Sequence, residues 1–449
     1  MKKLFVVLMV TAWLFRAGAQ QARNVLRLDD ALKMALEQNI GVRLAENSVE
    51  SAENNVTSAY GAYVPQLYAV ASFNRTGVSS PPSIIQDQGG FPRPIPRTEQ
   101  YYNLYRTGFG VTYTLFDGFN REASLSSALT NEDQARHQYL RTRQQTAFAV
   151  QNAYLNVLRN EQLVKVAEEN LKRDRRQLER ITESSKVGAA SLADVYRQQS
   201  VVANDEVNLI SAQNTYDKSK ADLLNLLALD PNTDYVIADT DIERQIQEQG
   251  SGFGIVEPSE DLTRRALESR PDYKSTMVGV DLADNGITRA WSLYYPTVSV
   301  NGGFSTNAQE YVPATSWSNR ASNVGLTLSW QLPEIFGSLT RVQNAYVSRR
   351  SADLQLEQKE RDIRVEVKKA LLDLEAARKQ LEATQKSVKS AEQDRRVAEE
   401  RYNLGAGTLL DLYIANANYV NAQASNVNAN YNYIISRRNL EYVVGERGY

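Results

Sequence analysis

Two stretches of 67 residues, Arg121 to Val187 and Ser338 to Leu404, contain neither glycine nor proline. Each can run as one helix of about 100 Å, since an α-helix rises roughly 1.5 Å per residue. A compact domain has no use for such rods, so they must pack along each other. From Ile363 onward, Ile363, Ala370, Ala377, Thr384, Ala391 and Ala398 recur every seven residues, interleaved with Val367, Leu374, Leu381, Val388, Arg395 and Tyr402. This alternating three-and-four spacing is a coiled-coil seam, and its small residues let helix backbones approach closely. Val150, Ala153, Val157, Val164, Ala167, Leu171, Leu178 and Ile181 repeat the seam in the first stretch, with Asn160 and Asp174 as breaks. The charged remainder, such as Lys172 to Arg176 and Glu392 to Arg401, reads as a solvated face.

The rods belong to a tandem internal repeat. ALEQN at Ala35 aligns with ALESR at Ala266, and Tyr63-Val64-Pro65 with Tyr294-Tyr295-Pro296, both at an offset of 231. GVTYTL at Gly110 aligns with GLTLSW at Gly325 at an offset of 215, and VGAASLADVY at Val187 with LGAGTLLDLY at Leu404 at 217. The first copy therefore carries about 16 extra residues ahead of Gly110, where five of the twelve prolines cluster between Pro81 and Pro96. Each copy reads as helix, strand, loop, strand, long helix, tight turn, helix. The expected organisation is repeat 1 over 20–228 with its helical hairpin at 121–228, an inter-repeat segment at 229–258, and repeat 2 over 259–449 with its hairpin at 338–444.

Strands are expected at about 66–74, 108–116, 297–304 and 324–332, because apolar and polar residues alternate there. Leu67, Phe73, Phe109, Val111, Tyr113 and Leu115 fall on one face in the first copy, and Val298, Val300, Leu326, Leu328 and Trp330 in the second. The other face is mostly hydroxyl, amide or glycine. Such segments suit either a half-buried antiparallel sheet or a transmembrane barrel with an apolar outer face. Four strands cannot close a barrel, since natural ones begin at about eight. A barrel would have to be shared among several chains.

Lys2 and Lys3, the apolar run Leu4 to Phe15 and Ala17-Gly18-Ala19 have the plan of a secretory signal peptide over residues 1–19. The chain has no cysteine, which excludes disulfides, thiolate metal sites and a cysteine nucleophile. A formal charge of −2, three units more negative once Lys2, Lys3 and Arg16 leave with the signal, argues against a nucleic-acid partner. The single histidine, His137, has no second ligand spaced near it, so no metal site and no cofactor are expected. No nucleophile elbow, zinc-protease motif or phosphate loop occurs, and an enzyme is not indicated. Asp29-Asp30 precede the first amphipathic helix and are expected to cap it.

The duplicated phrase marks the turns between long helices. Gly188, and Gly405 with Gly407, suit the left-handed or tight backbone that ends one helix before another begins. Ser191 with Asp194, and Thr408 with Asp411, then read as capping boxes, a hydroxyl at the N-cap and an acid three residues on. Both aspartates have a structural role on this reading.

LRLDDALKMALEQN near the start, VPQL and YPTV leading into strands, TLFDGFNR leaving one and the twice-written glycine turn occur in a fixed order. In that order and spacing the chain resembles the TolC-type outer membrane efflux protein family over residues 25–445. The resemblance implies an α+β membrane protein: a homotrimer whose chains give four strands each to a twelve-stranded transmembrane β-barrel in outer membrane lipid, continuous with a long periplasmic α-helical barrel. The loop from Arg75 to Glu99 and its partner from about Ser305 to Arg320 would face outside the cell. The segment 229–258 would form an equatorial belt. Function would be that of a passive exit duct for a tripartite efflux pump or type I secretion system, fed by a periplasmic adaptor and an inner membrane transporter. By the same resemblance Asp411, Asp194 and Tyr402 would form a periplasmic constriction, and Val187, Gly188, Leu404, Gly405 and Gly407 would meet the adaptor. The sequence departs from the familiar pattern at Ile414, where a second acid is common, and at Gly407, which can hold an arginine. A trimeric surface scaffold or adhesin with a shared barrel anchor is the rival expectation.

Overall fold

A computed structural model describes residues 24–86, 88–238, 258–310, 320–331 and 335–446. The signal-peptide segment, residues 239–257 of the inter-repeat segment, residues 311–319 of the expected second loop and the last residue of the strand expected at 324–332 lie outside the described residues. The chain divides into two compact units, one of residues 49–135 and 276–356, the other of residues 1–48, 136–275 and 357–449.

The first of these units contains a four-stranded antiparallel sheet of β2 (Gln66–Ser80), β5 (Thr98–Phe116), β7 (Thr297–Ala308) and β8 (Arg320–Ser329) in the order β2-β5-β7-β8. The strands β3 (Ser83–Gln86) and β4 (Pro92–Ile95) form a separate pair within the connection from β2 to β5. Proline is admissible on such a two-stranded edge because it need not donate to a ladder. The strands β2 and β5 run past the stretches where alternation is legible, pairing as far as Ser80 with Thr98. Beyond Asn74 and before Tyr105 both faces carry polar groups, so the period-two signal fades although the ladder continues.

Register aligns the apolar side chains into rows. Leu67 is opposite Val111, Phe109 opposite Phe304, Tyr113 opposite Val300, and Val300 opposite Leu326. Aromatic pairs tighten these rows, with ring centroids 4.8 Å apart for Phe73 and Tyr105 and 5.6 Å for Phe109 and Phe304. A bulge between Thr114 and Phe116 makes Phe116, rather than Leu115, the partner of Val298 in the row with Leu328. A bulge inserts one unpaired residue, so alternation counted along the strand goes out of step there. Arg121 anchors the distortion by donating to the carbonyls of Thr114 at 2.8 Å and Leu115 at 3.1 Å. On the opposite face the Tyr68 ring lies over Gly110, at a distance that leaves no room for a Cβ. Trp330 follows β8 and donates its indole N–H to the Tyr294 carbonyl at 3.3 Å.

The helices are α1 (Leu28–Gln38), α2 (Ile40–Gly61), α3 (Asn120–Lys186), α4 (Leu192–Leu226), α5 (Ser259–Ser269), α6 (Pro271–Ser292), α7 (Ile335–Asn403) and α8 (Leu409–Val444). The two long ones have 67 and 69 residues. Seam residues are their buried face: Val150, Val157 and Leu171 on α3, and Ile363, Val367, Ala370 and Leu381 on α7. The breaks Asn160 and Asp174 stay buried on the seam, with only 7% and 5% of their surface exposed.

The second unit has its main core where α1 meets α3, α4 and α8, with Leu32, Ala35, Val150, Tyr154, Leu223 and Tyr431 packed together. The strands β1 (Asn24–Leu26) and β6 (Tyr235–Ile237) pair in parallel at its margin, and Tyr154 donates to the Leu26 carbonyl at 2.9 Å. The N-cap of α1 is Arg27 without a side-chain cap, and Asp29 and Asp30 stand in the first turn. They act on the helix dipole instead of capping, because the helix begins one residue ahead of them.

Where α5 passes into α6, Arg270 is almost fully buried and grips Asp272 through two bonds of 3.0 and 2.8 Å. It also reaches Glu366 of α7 at 2.6 Å and the Val443 carbonyl of α8 at 3.3 Å. Lys359 closes on Asp272 at 2.8 Å, and Arg141, stacked 4.4 Å from the Tyr442 ring centre, approaches it at 3.6 Å.

Candidate functional site: the two helical turns

Each long helix ends in the same hydrogen-bond pattern. Gly188 donates to Ser185 at 3.1 Å and Ala189 to Ser184 at 2.8 Å; Gly405 donates to Tyr402 at 3.0 Å and Ala406 to Arg401 at 2.8 Å. These are the paired bonds of a Schellman motif, which needs a left-handed residue at its pivot. Gly188 and Gly405 supply it with φ of 78° and 72°. Gly407 is not in that region; a Cβ there would lie 3.1 Å from the Arg401 Cβ, so its place is set by close approach. The apolar tips project outward, with Val187 80% and Leu404 82% exposed.

The helices that follow are capped unequally. Thr408 Oγ1 accepts from the Asp411 amide at 3.2 Å, while Asp411 Oδ2 accepts from the Thr408 amide at 3.0 Å and from its hydroxyl at 2.6 Å, a complete capping box. Those bonds from Thr408 hold the exposed Asp411 carboxyl below the usual carboxylate range. Ser191 Oγ accepts from the Asp194 amide at 3.1 Å and donates to Asp194 Oδ2 at 2.7 Å, but the return bond to the Ser191 amide is not made. Asp194 instead turns its other oxygen to Arg197 at 3.3 Å.

The two acids also differ in their relation to the space between the turns. A cleft of about 600 Å³ is lined by Asp194, Arg180, Arg197, Tyr402, Gly405 and Gly407 among others. Tyr402 packs on a small core of Ile181, Val195 and Leu409. Its phenol is raised above the ordinary value by burial first and then by the Asp194 charge, with Arg180 opposing. Thus Asp194 and Tyr402 come together, and Asp411 does not line the cleft. Arg180 and Glu399, 3.7 Å apart, complete the setting. Glu399 belongs to the stretch whose sequence suits a solvated face, and Arg180 carries no separate motif, because a charge on a long helix gives the same signal whether it faces solvent or a neighbouring hairpin.

Comparison with known proteins places this geometry. A family model described as outer membrane efflux protein matches residues 31–229 and 262–446. Protein CyaE of Bordetella pertussis is 25% identical over 318 residues, covering 71% of this chain and 65% of that protein, so the chain spans somewhat less than two thirds of that relative. The outer membrane protein TolC of Vibrio cholerae is 23% identical over 453 residues, covering 99% of this chain and 96% of that one. Among solved structures, the outer membrane protein VceC of Vibrio cholerae is similar in fold, with a TM-score of 0.75 over 93% of this chain and 96% of that chain at 18% identity. Twin strand pairs, twin long hairpins and a family match across both halves lead to one conclusion: the chain belongs to the outer membrane efflux protein family, a family of transport channels and not of enzymes.

Proposed function

We propose that the chain is a passive outer membrane exit duct, a homotrimer in which each copy gives β2, β5, β7 and β8 to one twelve-stranded barrel and its hairpins to a periplasmic helical tunnel. The observation that carries this reading is the sheet. Its apolar face leaves Leu67 83%, Phe109 58%, Leu326 69% and Leu328 65% exposed, while β2 and β8 each keep one edge unpaired among the described residues. An open sheet edge is not tolerated in hydrocarbon, and four strands are too few to close alone. The β2 edge of one copy therefore meets the β8 edge of the next. The family match to two successive segments supports a tandem repeat, which turns a threefold into a pseudo-sixfold ring.

The exposed apolar turns at Val187-Gly188 and Leu404-Gly405 are docking points for a periplasmic adaptor, which links the duct to an energised inner membrane transporter of an efflux pump or type I secretion system. Three copies of Asp194 and Asp411 around one opening make its potential more negative and raise the local cation concentration. Tyr402 beside Asp194 narrows it. In planar bilayers the trimer is expected to conduct with cation selectivity, and Asp194→Asn and Asp411→Asn, which keep side-chain size, to lower that selectivity. Unchanged conductance and selectivity in both variants would remove the constriction assignment.

A further inference from the structure

The seam break at Asp174 is one half of a buried acidic pair that channel architecture does not call for. Asp174 of α3 and Asp205 of α4 are 5% and 9% exposed and line one cavity of about 190 Å³ with Asn170, Asn204, Asn416 and Asn421. Gln198 donates its amide to Asp174 Oδ1 at 3.1 Å and to the Asp174 carbonyl at 3.2 Å. Asp205 Oδ2 is buried at the cavity and accepts no hydrogen bond. Burial, then the neighbouring Asp174 carboxyl, push the Asp205 carboxyl up to about 7, against Asn170 and the Arg173 charge. Of the packed elements, α3 brings Asp174 and Arg173, α4 brings Asp205, and α8 brings the Tyr413 phenol and amides but no charge to the cavity wall. Arg173 gives its guanidinium to Asn170 Oδ1 at 3.2 Å and lies 5.7 Å from the Tyr419 ring centre, which Arg395 of α7 shares at 5.2 Å.

Helix packing does not require these acids. At the positions 217 residues on, the second hairpin has Ala391 and Ala422, and Ala422 is buried on the corresponding face. Two buried carboxyls side by side, one with an unpartnered oxygen, are unfavourable unless a proton or a cation joins them. The donors that line the cavity are carboxylate, amide-carbonyl and phenol oxygens, the hard set that takes calcium, whose coordination tolerates an irregular cage better than magnesium does. We propose that Asp174 and Asp205 form a buried binding site for a hard divalent cation of the calcium type, linking α3, α4 and α8 within one chain.

The test is calorimetric titration of the full-length, detergent-purified and chelator-stripped protein with calcium chloride at pH 7. One saturable site per chain is expected. Asp205→Asn and Asp174→Asn weaken it by about tenfold or more. Asp222→Asn, an exposed acid further along α4, leaves it unchanged. Asp205→Ala copies the second hairpin, so in chelator it melts no lower than the parent; a lower melting point would make the pair a packing contact and overturn the proposal. So would the absence of saturable uptake, or uptake that survives both Asn variants.

Discussion

A single left-handed glycine ends each long helix, and its cost of replacement can be separated from that of its neighbour. Nothing lies within 4 Å of where a Cβ would stand at Gly188 or Gly405, so an added methyl there meets only the backbone's own penalty. Gly188→Ala and Gly405→Ala are each expected to lose about 1 kcal/mol, the usual cost of an L-residue in that region. Gly407→Ala is expected to lose less. Its backbone is not left-handed, and the 3.1 Å contact with Arg401 Cβ asks for a local shift of only about a few tenths of an ångström; Ala190 already occupies the matching position in the first turn. Denaturant melts of the three variants in detergent check this order, and a Gly407 variant as damaged as the other two would contradict it. The aspartates show a related contrast. Both sit three residues after a hydroxyl cap, yet Asp411 closes its box and Asp194 leaves its own half open to reach Arg197.

Among the elements, the junction of α5 and α6 is tied to α7 and α8 by charge as well as by apolar packing. Burial alone would raise the Asp272 carboxyl, but hydrogen bonds from Arg270 and Lys359 and the charge of Arg141 outweigh it and hold the group far below its ordinary range. A depressed carboxyl stabilises the fold above the unfolded-state value, near 3.9, and that contribution is lost as pH falls through the folded-state value. Asp272→Asn leaves Arg270, Arg141 and Lys359 short of an anion and is expected to cost roughly 3–5 kcal/mol near neutral pH. The gap in melting temperature between parent and variant should be widest above pH 5 and narrow below about pH 4. A gap that stays constant with pH would mean that shape, and not charge, supplies the effect.

For the whole molecule, the consequence of a sheet with one apolar and one polar face is that adjacent residues should respond in opposite ways to the same kind of change. Leu326 is 69% exposed in the apolar row, whereas Thr327, one residue on, donates to Asn301 at 3.3 Å on the other face. Leu326→Arg is expected to cost about 2–4 kcal/mol in the membrane and to lower the fraction recovered in the outer membrane. Thr327→Lys should insert normally and, on the proposed barrel, reduce cation conductance, because its charge would face the lumen. Membrane fractionation with bilayer recordings checks both halves, and equal recovery of the two variants would reverse the face assignment.

Much of this was legible in the sequence. The absence of glycine and proline marked the long helices, heptads marked their buried face, and the repeated turn phrase marked Gly188, Gly405 and the caps at Ser191 and Thr408, because these are local signals carried by backbone geometry. Three features needed the tertiary structure. The bulge that puts Phe116 in line with Val298 depends on a partner strand nearly two hundred residues away. The convergence of Arg141, Lys359, Glu366 and Arg270 around Asp272 depends on four helices meeting. The opposition of Asp174 and Asp205 depends on how α3 and α4 are rotated against each other. Periodicity tells which face of an element a side chain occupies; only packing decides which group it meets there, and for a buried charge that neighbour determines whether it is a cost, an anchor or a site.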